Sequence, residues 1–411
     1  MIEPLVSDAA DRARAWLSDH GLPFWGVVGR EANGVFHERT TFEGRPDLTC
    51  ARRMRVQARQ VYVFSEAAVR GWWPGARAAA DAGFEAFLRH CWAPDGEPGF
   101  IHLLGPDHAP LDLKRDAYDQ AFGLFAAAWY YKASGDARAL ALAHRTLDFM
   151  QSVLADPAHG GFVESVPPAL PRRSDPHMHL LEAMLEWVEA TSEPRFLAVA
   201  RQMTRLFLNR FFDESTGTLR EYLAADLGPA PGAGGRVVAP GHHFEWNWLL
   251  ARARALGATD VHDDTRAEAD ALYAFAIRHG LDARGFAVDE CDHSGRQVRA
   301  SRRAWPQTEL IKAHINKARE GLDGAAEAAA KVALDFMHTY LATEVPGLWI
   351  DQFDSEGRGI ADFVPASTLY HVMVAFRELI LFAEYGCASG SAAKPSESGA
   401  SRSEAPVAVL A

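Results

Sequence analysis

Cysteine is scarce and scattered. Cys50, Cys91, Cys291 and Cys387 form no CxxC pair, which argues against a zinc framework or a disulfide scaffold. The glycine loops GxGxxG and GxxxxGK[ST] are missing, and so are the GxSxG elbow and the HExxH zinc motif. The usual sequence marks of nucleotide, serine-hydrolase and zinc-protease chemistry are therefore lacking. Positive charge is in deficit: 42 Lys and Arg face 54 Asp and Glu, a net charge of −12 across 411 residues. Such a chain is a poor partner for nucleic acid or an anionic membrane. No uncharged apolar run approaches the ~20 residues that span a bilayer. The opening MIEPLVSDAADRARAW lacks a charged start followed by an apolar stretch, so no secretory leader is visible and a soluble cytoplasmic location is expected.

What the sequence has in abundance is helical periodicity. The pattern predicts twelve helices, near 6–18, 48–69, 73–91, 115–133, 137–154, 175–191, 194–211, 241–256, 262–279, 304–319, 322–342 and 366–385. They come in pairs. The first of each later pair is apolar on nearly every side, as in YDQAFGLFAAAWYY, HMHLLEAMLEWV and FEWNWLLARA; the second carries a charged stripe, as in TRAEADALYAFAIRHG. The former are buried helices and the latter peripheral ones. The expected fold is all-α, an (α/α)6 barrel, with an inner ring of helices wrapped by an outer ring. Short turns (SGD, SEP) lead outward, while longer segments (HGGFVES, DESTGTLREYL, RGFAVDECDHSGRQV, GLWIDQFDSEGRG) lead back in. Their Gly-centred turns between β-formers predict short β-hairpins crowded at one end, where a site would be built. Polar landmarks about 60 residues apart (Arg59, Tyr118, His179, His242, Glu309, His371) support one repeated αα unit. A single barrel domain is expected over 1–387. Residues 225–238, rich in Gly, Pro and Ala, read as a mobile loop or lid, and 388–411 as a low-complexity disordered tail.

The segment GHHFEWNWLL (241–250) places titratable groups at the start of a buried helix. His242 and Glu245 stand at i and i+3, on one face, so the glutamate is expected to orient the imidazole; His243 is rotated away by about 100°. In DPHMHLLEA, Asp175 reads equally as a helix N-cap or a ligand group, and His179 follows four residues later. His177 and His179 project about 200° apart on a helix, so no metal site is expected. His371 is one polar group on an apolar helix; taken alone, such a histidine is more often a packed core residue. Arg59 is the arginine of its segment best placed to face inward, where it needs an acceptor. Trp305, Gln307 and Glu309 offer an aromatic plane, an amide and a carboxylate within two turns, and Tyr118 adds a phenol. Polar groups converging on one axis cost free energy unless paired, about 1–3 kcal/mol each. A carbohydrate guest would pair them, with the indole face against sugar C–H groups.

Five segments in order, RMRVQARQVYVFS, DPHMHLLEA, PGHHFEWNWLL, RRAWPQTEL and LYHVMVAF, together resemble the N-acylglucosamine 2-epimerase superfamily over about residues 10–385. The resemblance implies an (α/α)6 barrel that epimerises or isomerises sugars without a cofactor. It implies catalytic histidines at His242 and His371, a supporting glutamate at Glu245, and substrate contacts at Arg59 and His179. The family's asparagine is Asp175 here, a departure that exchanges a donor for an acceptor. One tryptophan in RRAWPQ and the LYHVMVAF ending resemble the D-mannose isomerase branch. The expectation is therefore interconversion of D-mannose and D-fructose, with D-lyxose a second candidate, by a monomer or homodimer acting on a small free sugar. A sugar 2-epimerase (mannose/glucose, cellobiose or N-acylglucosamine type) and a mannose-6-phosphate isomerase, with Arg172 and Arg173 as phosphate ligands, stay open. So do a glycoside hydrolase using Glu245 and Glu309, and a non-catalytic sugar-binding protein.

Overall fold

The computed structural model describes residues 4–259 and 264–386. Among these, thirteen α-helices are present: α1 (Pro4–Trp16), α2 (Leu22–Val27), α3 (Met54–Arg70), α4 (Ala76–Cys91), α5 (Ala117–Ser134), α6 (Ala137–Phe149), α7 (Asp175–Thr191), α8 (Pro194–Leu206), α9 (Pro240–Ala255), α10 (Arg266–His279), α11 (Ala304–Arg319), α12 (Ala325–Tyr340) and α13 (Thr368–Tyr385). Twelve answer to the expected helices. The short α2, LPFWGV, was not anticipated, because one and a half turns give too little periodicity to read. α3 starts six residues later than the periodicity suggests, because Arg52–Arg53 form a strand.

Odd-numbered helices from α3 to α13 form the inner ring. Each packs on the next, α13 packs back on α3, and α4, α6, α8, α10 and α12 lie outside their hairpin partners. α1 is the sixth outer helix, packed on α12 and α13. The two rings differ as their sequences require. In α5 every residue from Ala117 to Tyr130 is buried, whereas α8 buries only Phe196, Val199, Ala200, Met203, Thr204 and Leu206, a stripe at helical spacing. α3 and α5 end on Gly71 and Gly135, at φ +67° and +69°; this left-handed stop lets the chain turn at once into the outer helix. No helix among the described residues is long and apolar enough to cross a membrane.

The expected strands are present at one end of the ring, but most pair between units rather than within a loop. The strand before each inner helix runs antiparallel to a strand of the next unit: 52–53 with 103–104, 115–116 with 165–166, 172–173 with 222–223, 237–238 with 291–292, and 302–303 with 352–353. The last unit meets the first through 364–365 and 39–40, so the ring is closed by backbone hydrogen bonds as well as by helix packing. Residues 225–238, expected as a loop, include a short helical turn at 234–236 and this strand at 237–238. The expected tail 388–411 and Cys387 lie outside the described residues.

A repeated brace holds the strands. Gln57 accepts from the Phe36 N–H at 2.8 Å and donates to its carbonyl at 2.9 Å. Gln120 does the same for Phe100, and Gln307 for Ala287. His177 and His243 accept from the Phe162 and Leu219 N–H groups, each at 3.0 Å. Gln307, expected to bind substrate, is thus wholly occupied in the backbone. We predict that Gln57→Leu, which strands two buried backbone groups, lowers the denaturation free energy by about 1–3 kcal/mol with helix content unchanged by circular dichroism.

Candidate active site

The strands carry the inner helices into the ring at one register. Six residues after the position that ends the strand (53, 116, 173 and 303) or directly follows it (239), α3, α5, α7, α9 and α11 present Arg59, Phe122, His179, Glu245 and Glu309; α13 presents His371. All six are buried. One turn deeper come Tyr62, Phe125, Glu182, Trp248 and Lys312. Deeper still the bore is closed by ion pairs: Arg252 with Glu186 and Glu189 at 2.7 and 2.8 Å, Lys132 with the same two glutamates, and Arg377 with Glu66 at 3.3 Å and Glu378 at 2.7 Å. The packed bottom leaves a cavity of about 300 Å³ at the strand end.

Eight of the ten expected site residues line it: Arg59, Tyr118, Asp175, His179, His242, Glu245, Trp305 and His371. Gln307 does not, for the reason given above. Glu309 does not either; it is fully buried beside His371 and Lys312. The cavity also gathers Glu221, Tyr222, Glu290 and Arg303, none anticipated from the sequence. A larger groove of about 530 Å³ on the outer surface, at Trp92 and Phe149, brings together no comparable set of converging groups.

Trp305 lies against both expected catalytic histidines, its ring centroid 5.0 Å from that of His242 and 5.7 Å from that of His371. Gly241 makes room for it: a Cβ there would lie 2.5 Å from the indole. The partner expected for His242 needs correction. Its Nδ1 donates not to Glu245 but to Glu221, at 2.7 Å. Glu245, although at i+3, points down the bore toward His179, 4.0 Å away. Nδ1 of His371 donates to Glu309 at 3.0 Å, and the other oxygen of Glu309 meets Lys312 at 2.5 Å. In both histidines a carboxylate on Nδ1 fixes the tautomer and leaves Nε2 for chemistry.

Their protonation states are opposed. Burial lowers the pKa of His242, but Glu221, aided by Asp175 and Glu245, more than reverses this and raises it to about 9. Burial holds His371 well below the ordinary imidazole value, and the cations Arg59, Lys312 and His179 push the same way. At neutral pH the site therefore offers an imidazolium and a neutral imidazole facing one cavity, a division of labour suited to paired acid and base.

The other groups form two sets. Arg59 donates to the Tyr118 hydroxyl at 2.8 Å and lies over the rings of Phe122 and Tyr370 at 4.3 and 4.9 Å, an electropositive corner fit for a substrate oxygen. His179 meets Asp175 through Nε2 at 3.3 Å and Glu182 through Nδ1 at 3.1 Å, and Tyr370 donates to Glu182 at 2.5 Å. Donor atoms of His179, Glu182 and Glu245 lie within 4.8 Å of one another, close enough for a metal ion. Both ring nitrogens of His179 already face carboxylates, however, and its pKa is raised: burial opposes this, but Tyr118, Glu245, Asp175 and Glu182 outweigh it. The cation held here is the imidazolium itself. Glu245 is raised to about 7 by burial and by Glu309, and stands at the cavity floor.

A closed (α/α)6 toroid with a polar cavity at one end and an acid–base histidine pair defines a class of carbohydrate-sized sites. The comparisons narrow it. The model of the family N-acylglucosamine 2-epimerase matches residues 34–375, and the chain belongs to that family. A "Mannose-6-phosphate isomerase" of Rhizobium meliloti (strain 1021) is 35% identical over 393 residues, covering 90% of this chain and 96% of that one. A "D-mannose isomerase" of Thermobifida fusca is 26% identical over 314 residues, 68% of this chain and 72% of that one. The solved cellobiose 2-epimerase from Spirochaeta thermophila DSM 6192 superposes with a TM-score of 0.83 at 25% identity, over 93% of this chain and 98% of that one. The chain is an enzyme of the sugar isomerase and epimerase kind.

Two outcomes follow from the geometry. Gly241→Ala pushes Trp305 from its place against the imidazoles; a fall of about tenfold or more in kcat with an intact fold is expected, since misplacement of about 1 Å in a catalytic array costs up to 100-fold. The rate against pH is expected to be bell-shaped, with an acid limb well below pH 6.5 from protonation of His371 and an alkaline limb near 9 from deprotonation of His242.

Proposed function

We propose that the chain is an aldose–ketose isomerase that interconverts D-mannose and D-fructose, with D-lyxose a second substrate. The observation that carries this reading is the pair of oppositely protonated imidazoles that line one cavity against one indole. In the open-chain sugar, Nε2 of His371 takes the proton from C2 while Nε2–H of His242 gives one to O1, so that no full charge develops on the enediol. His242 then recovers a proton from the O2 hydroxyl, and His371, whose Nε2 proton exchanges with solvent while the enediol is bound, delivers one to C1. The aldose has become a ketose and both histidines are restored. Arg59 and Tyr118 supply donors for developing oxyanion charge, and Trp305 supplies a flat apolar wall. Return of a proton to the opposite face of C2 would instead give the 2-epimer.

The cavity favours a single unphosphorylated ring. At about 300 Å³ it lies at the small end of ligand pockets, ~300–1,000 Å³. Its carboxylates Asp175, Glu221, Glu245 and Glu290 face only Arg59 and Arg303 among arginines, and Arg303 is held by Asp289 at 3.1 Å. Arg172 and Arg173, the candidate phosphate ligands, are spent on Asp156 at 2.8 Å and Glu164 at 2.7 Å. A sugar phosphate would bring two negative charges into a pocket whose cations Arg303, His179 and His242 already face carboxylates. The hydrolase alternative is weakened because Glu309 is sealed behind His371 and cannot flank a scissile bond.

The test is NMR of the enzyme with free mannose in deuterium oxide. Fructose labelled at C1 is expected, with kcat/KM for mannose about 100-fold above that for mannose 6-phosphate, the equivalent of about 3 kcal/mol for an uncompensated charge. Glucose labelled at C2 would make the enzyme an epimerase, and preference for the phosphate would overturn the substrate reading.

A further inference from the structure

The residue just before the incoming strand of each unit forms a second ring around the mouth: Glu38, His102, Glu164, Glu221, Asp289 and Asp351. In three units its carboxylate is consumed in the same way, by an arginine that ends the strand before the inner helix. Glu38 accepts from the backbone N–H of Arg53 at 2.9 Å and from its guanidinium at 2.5 Å. Glu164 accepts both from Arg173 at 2.7 Å. Asp289 accepts both from Arg303, at 2.9 and 3.1 Å.

The unit of α9 keeps half of this arrangement. Glu221 accepts from the backbone N–H of residue 239 at 3.1 Å, as the pattern requires. But residue 239 is alanine, so no guanidinium claims the second oxygen, and that oxygen takes Nδ1 of His242. The unit of α5 shows the same two positions with the partners exchanged: His102 stands in the ring, and Asp119, three residues after 116 as His242 is three after 239, meets it at 2.6 Å. These two positions face each other by the geometry of the repeat, whatever the residues.

We propose that Glu221 is the positioning residue of His242, and that Ala239 gives it this role by leaving its carboxylate unclaimed. An arginine at 239 has a place ready, since Arg53, Arg173 and Arg303 occupy the equivalent position. The functional meaning rests on the reading of His242 as the acid of the isomerase, but the placement does not, and the experiment separates the two.

Imidazole NMR titration of His242, assigned by its loss in His242→Asn, needs no substrate. Expected is a midpoint lowered by about one unit or more in both Glu221→Gln and Ala239→Arg. Ala239→Leu, which adds bulk without charge, and Glu38→Gln, which breaks an equivalent contact in another unit, leave it near the wild-type value. In Glu221→Gln the alkaline limb of kcat moves down by the same amount, with KM little changed. An unmoved His242 midpoint in Ala239→Arg, or an equal shift in Glu38→Gln, overturns the proposal. A shifted midpoint in a protein inert toward mannose and every other aldose would uphold the placement and sink the isomerase reading instead.

Discussion

The structure depends on satisfying backbone polar groups where the inner helices begin. A helix start exposes unpaired N–H groups, and here six such starts crowd one mouth. Short strands, a glutamine or histidine brace, and a ring of five carboxylates and one histidine meet that demand. The same devices aim the side chains. Because each strand enters its helix at a fixed register, the sixth residue on points to the axis, and side chains from six distant stretches share one layer. First and last units join by the same ladder, Arg39–Thr40 against Val364–Pro365, so the cavity is walled on every side.

Within that frame, opposed charge sets the two imidazoles apart. The bore holds buried groups that would be costly alone: Lys312 and Glu309 are both fully buried, and removing one member of such a pair costs about 3–5 kcal/mol. Their arrangement puts cations around His371 and carboxylates around His242. One imidazole is thereby kept neutral and the other charged at the same pH, although both line one cavity. Fold alone does not dictate this; toroids of this kind can serve other reactions, and the site's charges make the difference.

Much of this was legible in the sequence. Alternation of wholly apolar and striped helices gave the two rings, and eight of the ten residues chosen for the site do line the cavity. What could not be read was partnership across units. His242 and Glu245 share a helix face, yet Glu221, twenty-one residues earlier and just before a strand, reaches the imidazole first. Gln307 and Glu309 follow Trp305 in sequence but turn to a backbone segment and to a histidine. The ring of Glu38, His102, Glu164, Glu221, Asp289 and Asp351 left only the faint trace FHE, FIH, FVE, LRE, AVD, WID, too varied to recognise without the strands that align it.

The central claim is that the two imidazoles facing the cavity differ by one proton. Neutron diffraction from perdeuterated crystals grown near pH 7.5 would show this directly. Deuterium on Nε2 of His242 and none on Nε2 of His371 is the predicted result. The same occupancy at both nitrogens would contradict it.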